Sequence, residues 1–128
     1  MKLLICGSRS ITSPDAVANA ITEFGLTPDL VISGGARGVD SSAEVWAKRN
    51  GVPCEVIKPD WETHGKSAGV KRNIVMVDKC DAVLAIWDGD SRGTKFTIDY
   101  GTKSGKEVFV TYASRTADPE TNSPEANT

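Results

Sequence analysis

Short apolar runs alternate strictly with stretches of helical period along this chain, and that alternation constrains its fold more than anything else. Leu3–Cys6, Leu30–Ser33, Pro53–Lys58, Ala82–Trp87 and Glu107–Thr111 are too short for buried helices. Ala82–Trp87 is apolar without interruption, as a strand covered on both faces should be. Between the runs lie helices. Ser13-Pro14-Asp15 opens the first, with a capping serine, proline at the first helical position and an acid in the first turn. Val17, Ala20, Ile21 and Phe24 follow at helical spacing, and Gly25 closes it. The second spans Val39 to Asn50, with Val39, Ala43, Trp46 and Ala47 inward. The third runs from about Ala68 to Asp78 with Val70, Ile74 and Val77 inward, and the fourth covers Thr94–Ser104. Gly101 inside that last helix marks close helix-to-sheet packing. Pro59–Ser67 reads as irregular, and Pro53 suits a strand at a sheet edge.

This pattern predicts a single α/β domain, Rossmann-like, with a doubly wound parallel five-stranded sheet in the order 3-2-1-4-5. Ligands of such sheets sit beyond the carboxyl ends of the strands, where the winding reverses. Here that is between the first and fourth strands. The domain covers residues 1–112. From Ala113 to Thr128 there is no aromatic residue and no periodicity, which predicts a disordered tail.

With 15 Lys and Arg against 17 Asp and Glu among 128 residues, broad non-specific nucleic-acid binding is disfavoured. A local cluster of cations in such a chain points to a compact anionic ligand. No apolar run could span a bilayer, and the opening Met1–Cys6 is too short for a signal peptide. Cys6, Cys54 and Cys80 are odd in number and set in apolar surroundings, so they read as reduced thiols of a cytoplasmic protein.

The expected site lies in the loops that follow the strands. Gly34-Gly35-Ala36-Arg37-Gly38-Val39-Asp40 is a glycine-rich turn with one cation, between a strand and a helix. Glycines let amides approach a ligand, and the helix start presents unpaired donors, an arrangement suited to phosphate. Asp40 there either caps the helix or accepts from a ribose hydroxyl. The first loop is Gly7-Ser8-Arg9, whose arginine could reach across the reversal point. The fourth, Trp87-Asp88-Gly89-Asp90-Ser91-Arg92-Gly93-Thr94, offers hydroxyl and amide donors at a helix start with Arg92 beside them. Asp88 and Asp90 resemble a magnesium pair, but their glycine-rich setting reads as a turn, and neither a metal site nor a cofactor is expected. Gly65-Lys66-Ser67 imitates the end of a phosphate-binding loop and fails, because Asp60 stands where the first glycine belongs. Trp61 is either a base-stacking platform or a half-buried lid residue, and His64, the one histidine, reads as a loop residue. Arg72 and Asn73 sit one turn inside the third helix, Asn73 near its buried edge. Jointly, Arg9, Arg37, Arg72 and Arg92 are expected to converge on one rim.

These motifs, with Ala68–Met76 (A-G-V-K-R-N-I-V-M), resemble the SLOG superfamily over roughly residues 2–111, nearest to its small single-domain group related to YspA and YpsA. The resemblance implies a Rossmann-like sheet that binds nucleotides or nucleotide-derived ligands, in a group often found in phages and mobile elements. It implies a homodimer or higher homo-oligomer, and a ligand site lined by Gly7, Ser8, Arg9, Gly34, Gly35, Arg37, Gly38, Asp40, Arg72, Asn73, Ser91, Gly93 and Thr94. Trp61, Trp87, Asp88 and Arg92 join it on the reading of the loops themselves. Related phosphoribohydrolases carry Pro-Gly-Gly-x-Gly-Thr-x-x-Glu, whose glutamate serves glycosidic cleavage. Here Thr97 stands at the glutamate's spacing. Asp40, Glu44 and Asp99 are the alternative carboxylates, Asp99 lying about 200° around the helix from Thr97.

The leading expectation is a protein that senses or sequesters a nucleotide-derived small molecule, such as an NAD or ADP-ribose derivative or a cyclic nucleotide. The second is an N-glycosidic hydrolase acting on a nucleoside monophosphate. Single-stranded DNA binding, by analogy with the related DNA-processing protein A, fits the net negative charge least.

Overall fold

The computed structural model describes residues 1–13 and 15–113. The expected proline at the head of the first helix and the tail beyond Ala113 lie outside them. Strands β1 (Lys2–Gly7), β2 (Leu30–Ser33), β3 (Cys54–Val56), β4 (Ala82–Trp87) and β5 (Glu107–Tyr112) form one sheet in the order β3-β2-β1-β4-β5. Every pairing is parallel. The order reverses between β1 and β4, where Leu3 to Gly7 pair with Ala82 to Ile86.

The apolar runs lie inside because helices cover both faces. On one face α1 (Asp15–Phe24) and α2 (Val39–Arg49) bury Val17, Ala20, Ile21, Val39, Ala43 and Ala47 against Leu3, Ile5, Val31 and Leu84. On the other, α4 (Ala68–Lys79) and α5 (Arg92–Lys103) cover Leu4, Cys6, Ile32, Val83 and Ala85, with Met76, Val77 and Cys80 among them. Successive residues of β1 alternate between the two cores, as the period of two requires. At Gly101 an added Cβ would lie 3.2 Å from Val108 Cγ2, so α5 approaches the sheet there as closely as its glycine permits.

Four local expectations need correction. Pro59–Ser67 is not irregular: it forms a one-turn helix, α3 (Trp61–His64), and a tight helical turn over Gly65–Ser67. The Asp60 carboxylate accepts the Thr63 amide at 3.1 Å, a capping signal that the nearby prolines and glycine masked. β3 contracts to Cys54–Val56 at the sheet edge, shorter than Pro53–Lys58. α5 begins at Arg92 rather than Thr94, because the Ser91 hydroxyl caps it by accepting the Thr94 amide at 3.3 Å. Finally, the inner stripe of α4 is rotated: Val70 is 45% exposed, while Ala68, Asn73, Met76 and Val77 are buried. An apolar count cannot place a buried amide on the inner face, and so it selected the wrong edge.

Candidate functional site

Beyond the carboxyl ends of β1 and β4 lies a cleft of about 450 Å³. Its walls come from distant segments: the loop after β1 (Gly7, Ser8, Arg9, Ser10), the start of α2 (Ala36, Asp40), one face of α4 (Arg72, Asn73, Met76), and the loop after β4 with the first turns of α5 (Asp88, Asp90, Ser91, Gly93, Thr94, Thr97). Cys6 completes the lining. Ser8, Asp40, Asn73, Met76, Thr94 and Thr97 are buried and form the floor with Cys6, while Arg9, Asp90 and Gly93 are exposed at the rim.

Asp88 ties the two sides of this cleft together. Its carboxylate accepts the Asp90 amide at 2.8 Å, the Ser91 amide at 3.0 Å and the Ser10 hydroxyl at 2.9 Å. Its own amide donates to Ser8 Oγ at 3.0 Å. Partial desolvation pushes the carboxyl up, but these donors outweigh it and hold Asp88 well below the usual carboxylate range. The β1 loop, with Arg9, is thereby fixed to the start of α5. There Ser91 caps the helix and its hydroxyl also meets Thr94 Oγ1 at 3.0 Å. The first helical carbonyl bond runs from the Lys95 amide to Ser91. The Arg92 and Gly93 amides therefore lead the helix without an intrahelical acceptor. An added Cβ at Gly93 would meet nothing within 4 Å. This helix start is open.

The glycine turn is closed by comparison. A Cβ on Gly34 would lie 2.6 Å from Arg72 Nη1, and one on Gly38 2.5 Å from the Ser8 carbonyl. Gly38 also holds φ +74°, which L side chains rarely adopt. Gly34, Gly35 and Gly38 do not line the cleft; at Gly34 and Gly38 the absent side chains admit other parts of this chain. Arg72 donates to the Gly34 and Ile57 carbonyls and, through Nε, to Asn73 Oδ1 at 2.8 Å, and so braces the turn from α4.

Asp40 stands between these parts, its Oδ2 accepting the Ala36 amide at 3.2 Å. Burial pushes its carboxyl up and Glu44 adds to the shift, while the Ala36 amide, Arg72 and Arg9 offset part of it. Burial likewise raises the Cys6 thiol, with Asp40 adding to the effect. Of the three candidate catalytic carboxylates, only Asp40 lines the cleft. Glu44 lies behind it, accepting the Ser33 hydroxyl at 3.2 Å. Asp99 is exposed and pairs with Lys95 at 2.8 Å.

Of the four arginines, Arg9 and Arg72 line the cleft, whereas Arg37 and Arg92 are exposed outside its lining. Neither candidate tryptophan lines it. Trp61 is 56% exposed on α3, and Trp87 donates its indole N–H to the Ser91 carbonyl at 3.0 Å while its ring meets Tyr112 at 5.7 Å. His64 sits beside Lys71, 3.3 Å from its Nζ, away from the lining. Cys6, Ser10, Ala36 and Met76 line the cleft without having been singled out in the sequence. Met76 was accessible to sequence reasoning: once Asn73 is inward, a residue three positions later shares its face. Among the described residues no group of three His, Cys, Asp or Glu could hold a metal ion, and no helix is long and apolar enough to cross a membrane.

Comparison with known proteins places these features in context. Residues 1–64 match YAcAr, the YspA, cpYpsA-related SLOG family. The Gene 61 protein of Mycobacterium phage D29 is 40% identical over 120 residues, covering 84% of this chain and 94% of that protein. Among solved structures, DNA processing protein A from Streptococcus pneumoniae superimposes with a TM-score of 0.71 at 18% identity. That match covers 94% of this chain and 53% of the other, so the likeness is one of fold and this chain spans about half of its neighbour's length.

Proposed function

Since this chain belongs to the YspA, cpYpsA-related SLOG family, we propose that its cleft binds a nucleotide-derived small molecule, with a phosphate group between Arg9 and the start of α5. The family and the fold fit a nucleotide-related binding or processing role. One observation carries the finer reading: the open amide end of α5 at Gly93 faces the same cleft as Arg9, across the reversal point. A helix start supplies oriented N–H donors and a partial positive charge, and a guanidinium supplies a full one. A volume near 450 Å³ falls in the range of small-molecule pockets. Arg72 contributes charge, but its Nε and Nη1 are committed to Asn73, Gly34 and Ile57, and that leaves Nη2 as its donor toward a ligand. Arg9 is therefore the principal anion ligand among the lining side chains. The protein acts as a sensor or sequestering module, and ADP-ribose, NAD and AMP are the first ligands to try.

The test is calorimetry with ADP-ribose, NAD and AMP on the wild-type protein and Arg9→Ala. A charge-assisted hydrogen bond contributes about 1.5–3 kcal/mol, so the variant should bind roughly 10- to 100-fold more weakly. Equal affinity of the two proteins rejects the phosphate placement.

A second reading, cleavage of the N-glycosidic bond, is favoured by one feature: Asp40 lines the cleft and holds its proton more tightly than an ordinary aspartate. Free base released from AMP by the wild-type protein, and lost in Asp40→Asn, supports it. Intact AMP after prolonged incubation rejects it for that substrate.

A further inference from the structure

The floor of the cleft differs in character from its rim. Cys6, Met76 and Thr97 line it beside Ser8, Asp40 and Thr94, and each is less than a tenth exposed, so sulfur-bearing and polar side chains alternate there. Asn73, 9% exposed, is the amide among them. Its orientation is fixed by its neighbour. The Arg72 guanidinium can only donate, so the Asn73 atom 2.8 Å from Arg72 Nε must be the carbonyl oxygen. The NH2 group then points the other way.

Among the described residues that NH2 meets no protein acceptor, and yet no buried side-chain polar atom is left without a partner. An amide nitrogen lacking a partner must therefore reach open space, and the space Asn73 lines is the cleft. A donor nine-tenths buried and aimed into a floor of mixed polar and sulfur-bearing side chains suits a flat ring that bears an acceptor. Thioether and thiol sulfur pack well on aromatic faces. The acceptor belongs either to a heteroaromatic base or to a phosphate, and the surroundings favour the base: among the described residues the lining cation with no hydrogen bond to protein, Arg9, is at the rim.

We infer that the buried end of the cleft is a base pocket, in which the Asn73 NH2 donates to a ring nitrogen or carbonyl of the ligand's base. This rests on the phosphate lying at the rim, and it adds that the base, not only the phosphate, is read. Ligands without a base bind weakly, and those whose inner edge presents only donors are rejected, because the buried NH2 then has no acceptor.

The test uses AMP, GMP, ADP-ribose and ribose 5-phosphate as probes in calorimetry, with the wild-type protein and Asn73→Asp. The aspartate keeps an acceptor for Arg72, so the brace survives, but it replaces the inward donor with an acceptor. At least one base-bearing probe should bind wild type tenfold or more tightly than ribose 5-phosphate. Asn73→Asp should weaken that probe roughly 10- to 100-fold and ribose 5-phosphate distinctly less, since the latter senses only the added charge. A second readout needs no variant: the Asn73 side-chain 15N–H2 resonances of the wild-type protein should shift with that base-bearing probe and stay fixed with ribose 5-phosphate. Equal weakening of ribose 5-phosphate would make Asn73 a phosphate ligand and overturn the inference. So would unchanged binding of all four probes. If no probe binds the wild-type protein, phosphate binding itself is refuted and the base pocket falls with it. If Arg9→Ala weakens binding and Asn73→Asp does not, only the base pocket falls.

Discussion

Removing the carboxylate of Asp88 should loosen the molecule at the joint between its two halves. Donors from Asp90, Ser91 and Ser10 converge on that side chain. Hydrogen bonds to an ionised group contribute about 1.5–3 kcal/mol when well buried. This one is partly exposed, so water replaces much of what is lost, and about 0.5–1 kcal/mol per bond is the fair figure. Asp88→Ala should then cost about 2 kcal/mol. For a domain of this size that lowers Tm by roughly 6–10 °C. Asp88→Asn retains an acceptor and loses the charge, and should cost about half as much. The pH dependence provides the sharper check. The folded pKa of Asp88 lies below that of the unfolded chain. Its contribution is therefore fully present above the ordinary carboxylate range and is lost as pH falls through the folded value. Differential scanning calorimetry of wild type and Asp88→Asn across pH 7 to pH 3 should show two Tm values that approach each other on acidification. A constant gap, or no gap at pH 7, refutes the electrostatic role given to this joint.

The two glycines Gly38 and Gly93 should behave in opposite ways. Gly38→Ala forces a methyl against the Ser8 carbonyl at a positive φ and should destabilise by about 3 kcal/mol or more, visible in urea denaturation. Gly93→Ala meets open space in the first turn of α5 and should leave Tm unchanged or slightly raised, while weakening phosphate ligands in calorimetry. Asp40 titrates higher folded than unfolded, so its ionisation opposes folding as pH rises through the folded value. Asp40→Asn should accordingly be more stable than wild type at pH 7, with the advantage shrinking on acidification. Thiol titration of the native protein at pH 8 should label Cys54 slowly and spare Cys6 and Cys80, which are buried, with all three reacting in denaturant.

The sheet order was legible because it depends on features that short segments carry by themselves. Ala82–Trp87 is apolar throughout because helices cover both of its faces, and Pro53 beside an edge strand gives its carbonyl to the Val31 amide and has no N–H that needs pairing on the open side. The position of the cleft followed from the order, since a parallel sheet whose winding reverses leaves a crevice there. What escaped was the side-chain inventory. Gly34-Gly35-Ala36-Arg37-Gly38 has the composition of a phosphate loop, yet the space above Gly34 is filled by an arginine that lies 38 residues away in sequence. No local pattern carries that information, and Arg37 accordingly lies outside the lining while Arg72 faces it.

Glycine in such a turn therefore has two distinct causes, close approach of the chain to itself and close approach to a ligand, and the structure separates them by what an added methyl would strike. At Gly7, Gly34 and Gly38 it would strike Val39, Arg72 and the Ser8 carbonyl, so these positions report packing of the loops on one another. At Gly93 it would strike nothing, although the residue begins a helix where alanine is the better helix former. Packing leaves Gly93 unexplained. A ligand seated on the Gly93 amide explains it, and for that reason the affinity of Gly93→Ala, measured beside its unchanged Tm, bears more directly on function than any substitution in the glycine-rich turn.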